Sequence, residues 1–333
     1  MSFCAVSVVL PFYQAENTLN RAVTSILNQT FTDFELLLVD NNSTDRGGEI
    51  GREFAQTDAR VRVIQENQQG VVFAMNRGMQ EARGAFIARM DADDVSLSER
   101  LEKQFQFLQQ HPHIGLVGCQ VKHVSPLPSK GLERFVNWVN SFHASDAIFQ
   151  NRLVEIPIIQ PTVMFRAELV GKHGNYREGD FPEDYELFLR WLDAGVRFYQ
   201  LPEMLHEWHD SETRLTRTDD RYSAEAFYKT KAYYFARWFV RTHPQRELWV
   251  WGAGRKARQR ARLLEEQGLT ISGYYDLKAG KTTEKACRSY VDIPAPGQQF
   301  ILSMVGNRGA REKITNFLLE RNYQAGSDFL LMA

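Results

Sequence analysis

Hydrophobic positions in the first hundred residues alternate between two periods. Short β-rich apolar runs at Val6 to Leu10, Leu36 to Val39, Val61 to Ile64 and Phe86 to Met90 predict strands. Between the first two runs, Leu19, Ala22, Val23, Ile26 and Leu27 recur at i, i+3, i+4, i+7 and i+8 behind Asn17, which predicts a helix with Asn17 as its N-cap. Strand and helix signals in this order are the rhythm of a largely parallel α/β sheet, whose ligands sit beyond the carboxyl ends of the strands. A site is therefore expected in Pro11 to Glu16, Asp40 to Asp45 and Asp91 to Asp94, the segments that follow the runs.

The rhythm restarts later. Ala224 to His243, rich in aromatic and basic residues, predicts a helix that ends at His243-Pro244. Leu248 to Trp251 then reads as a strand, Gly252-Ala253-Gly254 as a tight turn, Arg255 to Gln267 as a helix and Ile271 to Tyr275 as a strand. A last strand and helix follow at Phe300 to Val305 and Ala310 to Arg321. The chain thus divides into residues 1–215, a basic, aromatic helical connector at 216–244, and a small Rossmann-like α/β domain at 245–333.

Composition narrows the class. A length of 333 residues favours two domains, and 43% hydrophobic with 24% charged residues is ordinary for a soluble folded protein. No run approaches the roughly 18 apolar residues of a spanning helix, and Met1 to Leu10 lacks the basic start and cleavage site of a secretory leader, so a cytoplasmic location is expected. Three widely spaced cysteines, Cys4, Cys119 and Cys287, suit a reducing compartment and argue against a disulfide framework or a cysteine zinc site. The net charge of -1 hides an asymmetry. Residues 214–262 hold thirteen Lys and Arg against four Asp and Glu, whereas residues 1–213 hold nineteen against twenty-nine, a hint of a polyanionic partner.

Asp91-Ala92-Asp93-Asp94 gathers carboxylates at the end of a buried strand, where a divalent cation such as Mg2+ or Mn2+ would relieve their repulsion and bind phosphate oxygens. The alternative is a solvated acidic loop capping a helix that starts near Ser98. The company these residues keep favours the cation. Val6 to Tyr13, Leu38 to Asp45, Asn67 to Gly70 with Ala74, Asn76 and Gly78, Met90 to Asp94, Gln160 to Arg166 and Glu183 to Arg190 resemble, in that order, the family 2 glycosyltransferases over roughly residues 5–215. The resemblance implies a GT-A fold, a nucleotide-diphosphate sugar as donor, a divalent metal and inversion at the anomeric carbon.

The same resemblance places Pro11, Tyr13, Glu16, Asp40, Asn67, Asn76, Arg89, Asp91 and Asp93 at the donor, with Asp40 toward the base, Asp91 near the ribose and Asp93 as metal ligand. Asn41 departs from the second acid that the family more often carries there. Inverting transfer needs a base on the acceptor hydroxyl and stabilisation of the departing diphosphate. Asp184, on the first turn of a helix, matches the family's base, with Glu183 positioning the acceptor or Asp184 itself. His206 to Arg214 resembles the segment that closes over the diphosphate, with His209 as a second metal contact and Arg214 as a weaker phosphate contact. Trp208 is open to a stacking role or a place in the core.

Gly252, Gly254 and Ala257, with Asp276 at the end of the next strand, match a dinucleotide fingerprint, but the rest of the chain is too short for two mononucleotide halves, so no NAD is expected. Arg255, Lys256, Arg258 and Arg262 on the following helix, with Lys229 and Arg237 before it, could contact phosphates, the aromatics Tyr228, Tyr233, Tyr234 and Trp238 among them serving either as stacking groups or as core. Over nearly its whole length the chain resembles the tRNA-queuosine galactosyltransferases, through Trp251 to Gly254 and the ending Gly326 to Leu330. That resemblance implies UDP-galactose as donor and a queuosine hydroxyl of tRNA as acceptor. The alternative acceptor is a lipid-linked or surface polysaccharide.

Overall fold

The four early apolar runs become strands β1 (Val6–Phe12), β2 (Phe34–Asp40), β3 (Val61–Gln65) and β4 (Phe86–Arg89), lying parallel in the order β3-β2-β1-β4. They belong to a computed structural model that describes residues 4–125, 129–210, 214–280 and 284–333. Register fixes what the strands deliver. Phe12 lies opposite Asp40 and Asp40 opposite Gln65, while Met90 N–H bonds to the Val9 carbonyl, so the strands release their chains along one edge of the sheet. The helix Leu19–Leu27 buries Leu19, Ala22, Val23 and Ile26, four of the five positions read from its spacing. Its N-cap is Thr18, not Asn17, with no side-chain cap, and the Ala15 carbonyl accepts the N–H groups of both Thr18 and Leu19.

Four more strands extend this sheet: β5 (Val95–Ser96), β6 (Leu116–Val124), β7 (Met164–Arg166) and β8 (Phe198–His209), in the continuing order β4-β7-β6-β8-β5. Strand β7 is antiparallel to both neighbours, β6 and β8 are parallel, and β5 is antiparallel to β8. The eight-stranded sheet is thus mixed, with its parallel half carrying the early βαβ units. By internal contacts the first compact unit comprises Met1–Ile148, Pro157–Gly179 and Glu183–Thr218.

The second unit comprises Phe149–Ile156, Asp180–Pro182 and Asp219–Ala333. Its sheet is parallel throughout, in the order β11-β10-β9-β12-β13, with β9 (Glu247–Trp251), β10 (Ile271–Asp276), β11 (Cys287–Ser289), β12 (Gln299–Ser303) and β13 (Phe329–Leu331). The helix Ala224–Thr242 starts on Ser223, whose hydroxyl accepts the Ala226 N–H, and sets Phe235, Trp238 and Phe239 around Phe300 of β12 at ring separations of 6.0, 5.7 and 5.4 Å. Of the segment read as a connector, residues 216–218 fall in the first unit and the rest in the second. Lys231 of the same helix is buried, donates to the Val154 carbonyl at 2.9 Å, and has its pKa lowered to about 8 by that burial.

No helix is long and apolar enough to cross a membrane among the described residues. The tightest helix-to-sheet approach in the parallel half is at Gly78, where an added Cβ would stand 2.4 Å from Cγ1 of Val9 and 3.1 Å from Cγ2 of Val39, both fully buried. Alanine would gain up to about 1 kcal/mol of helix propensity. Overpacking of a closed core typically costs about 1–3 kcal/mol, so Gly78→Ala should lower the thermal midpoint of the first unit's unfolding. A midpoint unchanged or raised in scanning calorimetry would show that the helix slides away freely.

Candidate active site

The strand exits bring most of the expected residues to one edge. Pro11 is half-buried and Tyr13 is 54% exposed just beyond β1, whereas Glu16 is engaged with the neighbouring turn. Its N–H donates to Asp45 Oδ2 at 2.8 Å and its carboxylate accepts the Arg46 N–H at 3.2 Å. Asp40 is buried at the end of β2, and its Oδ1 accepts the Ser43 N–H at 2.9 Å. A Cβ at Gly48 would lie 2.7 Å from Asp40 Oδ2, so the helix Gly47–Thr57 can begin against this carboxylate only with glycine there.

Asn41, the departure from the family's acidic pair, closes the next loop. Its Oδ1 accepts the Gly70 N–H at 2.7 Å while its Nδ2 donates to the Gln68 and Glu66 carbonyls at 2.7 and 3.1 Å. A carboxylate has no donor and could not make both kinds of contact. Asn67 is exposed on that loop. Asn76 is turned to structure: its amide donates to the Tyr176 carbonyl at 2.9 Å and accepts the Tyr176 N–H at 3.1 Å.

Tyr176, which the sequence did not single out, is the centre of the next cluster. Its buried phenol accepts from Gln160 Nε2 at 2.7 Å, and burial pushes its pKa up to about 12 against the opposing pull of the Arg89 cation. Arg89 is buried at the end of β4 and donates through Nε and Nη2 to Asp91 Oδ1 at 3.1 and 2.9 Å. Burial works against its charge, but Asp91 and Tyr176 hold the guanidinium above its ordinary pKa. Glu183 and Asp184 open the helix Glu183–Asp193 and both act electrostatically on Tyr176. Arg89, Glu183 and the candidate base thus share Tyr176 as an electrostatic neighbour. Glu186 of the same helix pairs with Arg190 at 2.9 Å, and Arg190 grips the carbonyls of His173, Gly174 and Asn175, fixing the segment that leads into Tyr176.

The acidic loop converges as its sequence suggests. Carboxylate oxygens of Asp91, Asp93 and Asp94 all lie within 4.8 Å of one another. Burial first, then Asp94 and Asp91, raise the Asp93 pKa to about 7. A hard divalent cation would relieve that repulsion, and the oxygen donors fit Mg2+ or Mn2+. His209 ends β8, and its buried Nε2 makes no hydrogen bond, a Glu207 oxygen standing at 3.6 Å. Burial and the Arg21 charge lower its pKa, which favours the neutral ring that can ligate a metal.

Asp94 is engaged differently from Asp93. Its Oδ1 accepts the His209 N–H at 2.8 Å and its Oδ2 lies 2.8 Å from His206 Nε2. Burial and Asp91 push the Asp94 pKa well above its ordinary value, with the His209 N–H, Arg214 and Arg100 opposing them. His206 has its pKa lowered well below the usual value by burial and by Arg100. Trp208 resolves as core, packed with Val121, Val136, Val139 and Ile159, and the Arg214 guanidinium lies 3.9 Å over its ring. Residues 211–213 of the closing segment lie outside the described residues.

The residues read as nucleic-acid contacts are all in the second unit. Arg255, Lys256 and Arg262 are exposed and Arg258 is half-buried; Arg262 faces Glu284 at 3.5 Å. Lys229 pairs with Glu225 at 2.7 Å and Arg237 lies over the ring of Tyr233. Tyr234 and Trp238 are buried, so they are core and not stacking groups, because helical spacing turns them to the sheet side of the helix Ala224–Thr242. The fingerprint acid Asp276 is turned to its own loops, accepting the Ala253 N–H on Oδ2 and the Leu277 N–H on Oδ1, each at 2.8 Å.

With this geometry in place, comparison with known proteins is informative. The family model described as Glycosyl transferase family 2 matches residues 7–174. EpsE of Bacillus subtilis (strain 168), assigned as a glycosyltransferase, is 30% identical over 225 residues, which is 66% of this chain and 78% of EpsE. The O-antigen biosynthesis glycosyltransferase WbnJ of Escherichia coli is 29% identical over 68% of this chain and 86% of its own length. Among solved structures, Staphylococcus aureus TarS 1-349 in complex with UDP-GlcNAc aligns with a TM-score of 0.57 at 20% identity, over 79% of this chain and 71% of that one. The mannosyltransferase PcManGT of Pyrobaculum calidifontis, in complex with GDP-Man and Mn2+, aligns at 0.53 and 17% identity over 80% and 70%. The fold of the first unit is GT-A, and the chain is an enzyme of glycosyl transfer that belongs to glycosyl transferase family 2.

Proposed function

We propose that the chain transfers a hexose from a UDP-sugar, with Mn2+ or Mg2+ at the acidic loop, to a hydroxyl of a surface-polysaccharide or lipid-linked glycan, with inversion at the anomeric carbon. The observation that carries the acceptor is the match to the O-antigen enzyme WbnJ over 86% of that protein's length. The donor and the cation are supported by TarS, whose structure holds UDP-GlcNAc, and by PcManGT, whose structure holds GDP-Man and Mn2+.

In this reading Asp93 and His209 hold the cation, which supplies charge neutralisation to the departing diphosphate. Asp40 meets the base and Asp91, fixed by Arg89, meets the ribose. Asp184 takes the acceptor proton, its charge favoured by its place on a first helical turn. Glu183 beside it is buried and orients the acceptor or Asp184.

A second reading, transfer to queuosine in tRNA, is favoured by one observation: Arg255, Lys256 and Arg262 stand exposed on the helix Arg255–Glu266, within the positively charged stretch 214–262. The EpsE and WbnJ matches leave about a third of this chain uncovered, so they do not speak for all of it. Enzyme, Mn2+ and a panel of UDP-sugars, incubated in parallel with lipid-linked glycan acceptors and with tRNA that does or does not contain queuosine, separate the two by mass spectrometry. A hexose gained by a glycan supports the proposal; a hexose gained only by queuosine overturns it in favour of tRNA.

Two consequences follow from the site's geometry. Loss of a general base typically costs about 10^2- to 10^4-fold, so Asp184→Asn should lose kcat on that scale while UDP affinity holds, and kcat retained within a few-fold would remove Asp184 from the role. Asp93 has a carboxyl pKa raised from 3.8 to about 7 in the fold, so the folded metal-free chain binds the extra proton and loses stability as pH rises through that window. A cation binds the ionised loop. Saturating Mn2+ should therefore raise the melting temperature more at pH 8 than at pH 6, and equal shifts in scanning fluorimetry would exclude Asp93 as the ligand.

A further inference from the structure

A chain of buried polar groups runs beneath the acidic loop and reaches both sides of it. Arg100, on the helix Arg100–Gln110, and His206, on β8, are fully buried, and Asp94 is 1% exposed. Arg100 donates through Nη2 to the carbonyl of Arg89 at 2.6 Å and through Nε to Gln104 Oε1 at 3.2 Å, and its Nη1 lies 3.3 Å from His206 Nδ1. A guanidinium carries donors only, so Nδ1 must present its lone pair and the ring proton sits on Nε2. That proton then faces Asp94 Oδ2 at 2.8 Å, and Asp94 Oδ1 accepts the His209 N–H at 2.8 Å. Donors thus converge on Asp94 from both sides, from His206 on Oδ2 and from the His209 backbone on Oδ1.

We propose that Arg100, His206 and Asp94 form one imidazole-bridged hydrogen-bond relay that positions the cation-binding residues. The proposal rests on the reading of Asp93 and His209 as the cation's ligands. Polar groups buried this deeply are tolerable only when hydrogen-bonded, and the neutral ring carries the link across a gap that arginine and aspartate do not close themselves. Both ends of the bridge terminate on the site. Arg100 fixes the carbonyl of Arg89, whose side chain holds Asp91, and Asp94 is bonded to Asp93 in the chain and to the N–H of His209 in space. Helix, loop and strand are thereby set relative to one another through three side chains that need not touch the cation.

The test is Mn2+ binding to the full-length protein in the presence of UDP, read from the paramagnetic resonance of free Mn2+, with folding checked by circular dichroism. His206→Gln keeps an amide donor toward Asp94 and an oxygen toward Arg100, whereas His206→Leu keeps neither. His206→Gln should bind Mn2+ within about threefold of the natural protein and His206→Leu about 10- to 100-fold more weakly, the range seen when a group that orients a metal ligand is removed. Arg100→Lys, which keeps the charge but cannot span the Arg89 carbonyl and the imidazole together, should also weaken binding by about tenfold and serves if His206→Leu does not fold. Undiminished Mn2+ affinity in a folded His206→Leu or Arg100→Lys, alongside its loss in Asp93→Ala, overturns the bridge and leaves the cation site standing. Undiminished affinity in Asp93→Ala overturns the cation site and this proposal with it.

Discussion

Three carboxylates held within 4.8 Å of one another at the exit of a buried strand repel, and the first unit is arranged to hold them there. Two unit charges about 4 Å apart interact by roughly 4 kcal/mol at the effective dielectric of a protein surface. Two such repulsions approach the whole stability of a typical domain, about 5–15 kcal/mol, so countercharge has to be part of the fold. The chain places two buried arginines under the loop. Arg89 takes Asp91 directly, and Arg100 reaches Asp94 through His206. Asp93 has no such partner among the described residues, Arg21 bonding only its carbonyl, and its carboxyl is pushed up to about 7. A divalent cation would relieve that acid.

The same economy governs the polar groups inside the mixed half of the sheet. Gln104 donates to the carbonyls of Val117 and Thr162, and Gln200 donates to those of Val139 and Phe142, while both side chains are fully buried. Thr162 lies just before β7, and Val139 and Phe142 lie at and beyond the end of the helix Lys130–Val139, where backbone carbonyls lose their regular partners, and an unmade buried hydrogen bond costs about 1–3 kcal/mol. Glutamine amides reaching in from neighbouring elements meet that need. Asn41 does the equivalent at the donor edge, where an amide closes the 66–70 loop from both directions.

How much of this was legible in the sequence follows from the same physics. Strands β1 to β4, β9, β10 and β12 were readable to within a residue or two, because parallel strands covered on both faces are continuous apolar runs. Strand β8 was not: it carries Gln200, Pro202, Glu203, His206 and Glu207, and its pairing with β6 shifts register near Cys119 to Val121, so no clean alternation survives. The acidic loop, Asp184 and Arg89 were visible as a motif. Tyr176, Arg100 and His206 were not, since a lone tyrosine, a helix-start arginine and a histidine beside other polar residues read as surface until burial is known. Of the aromatics on the helix Ala224–Thr242 that were ambiguous between stacking and core, Trp238 packs on Phe300 and Tyr234 is buried, whereas Tyr233 is 42% exposed.

The second unit shows why a motif and its usual role can separate. Its sheet order and its Gly252 turn, with φ of 116° and a Cβ position 3.3 Å from that of Ala257, satisfy the geometry that a dinucleotide fingerprint requires. Asp276 stands at the end of β10, where such an acid would meet a ribose hydroxyl. Here both of its oxygens accept backbone N–H groups, one from the glycine turn and one from the residue that follows it. A ribose hydroxyl competing for this carboxylate would have to compensate the backbone donors it displaced, and a buried donor left unpaired costs more than the about 1 kcal/mol that a neutral hydrogen bond returns. The acid that would select a nucleotide instead closes the turn, and the exposed cations Arg255 and Lys256 stand at the start of the next helix.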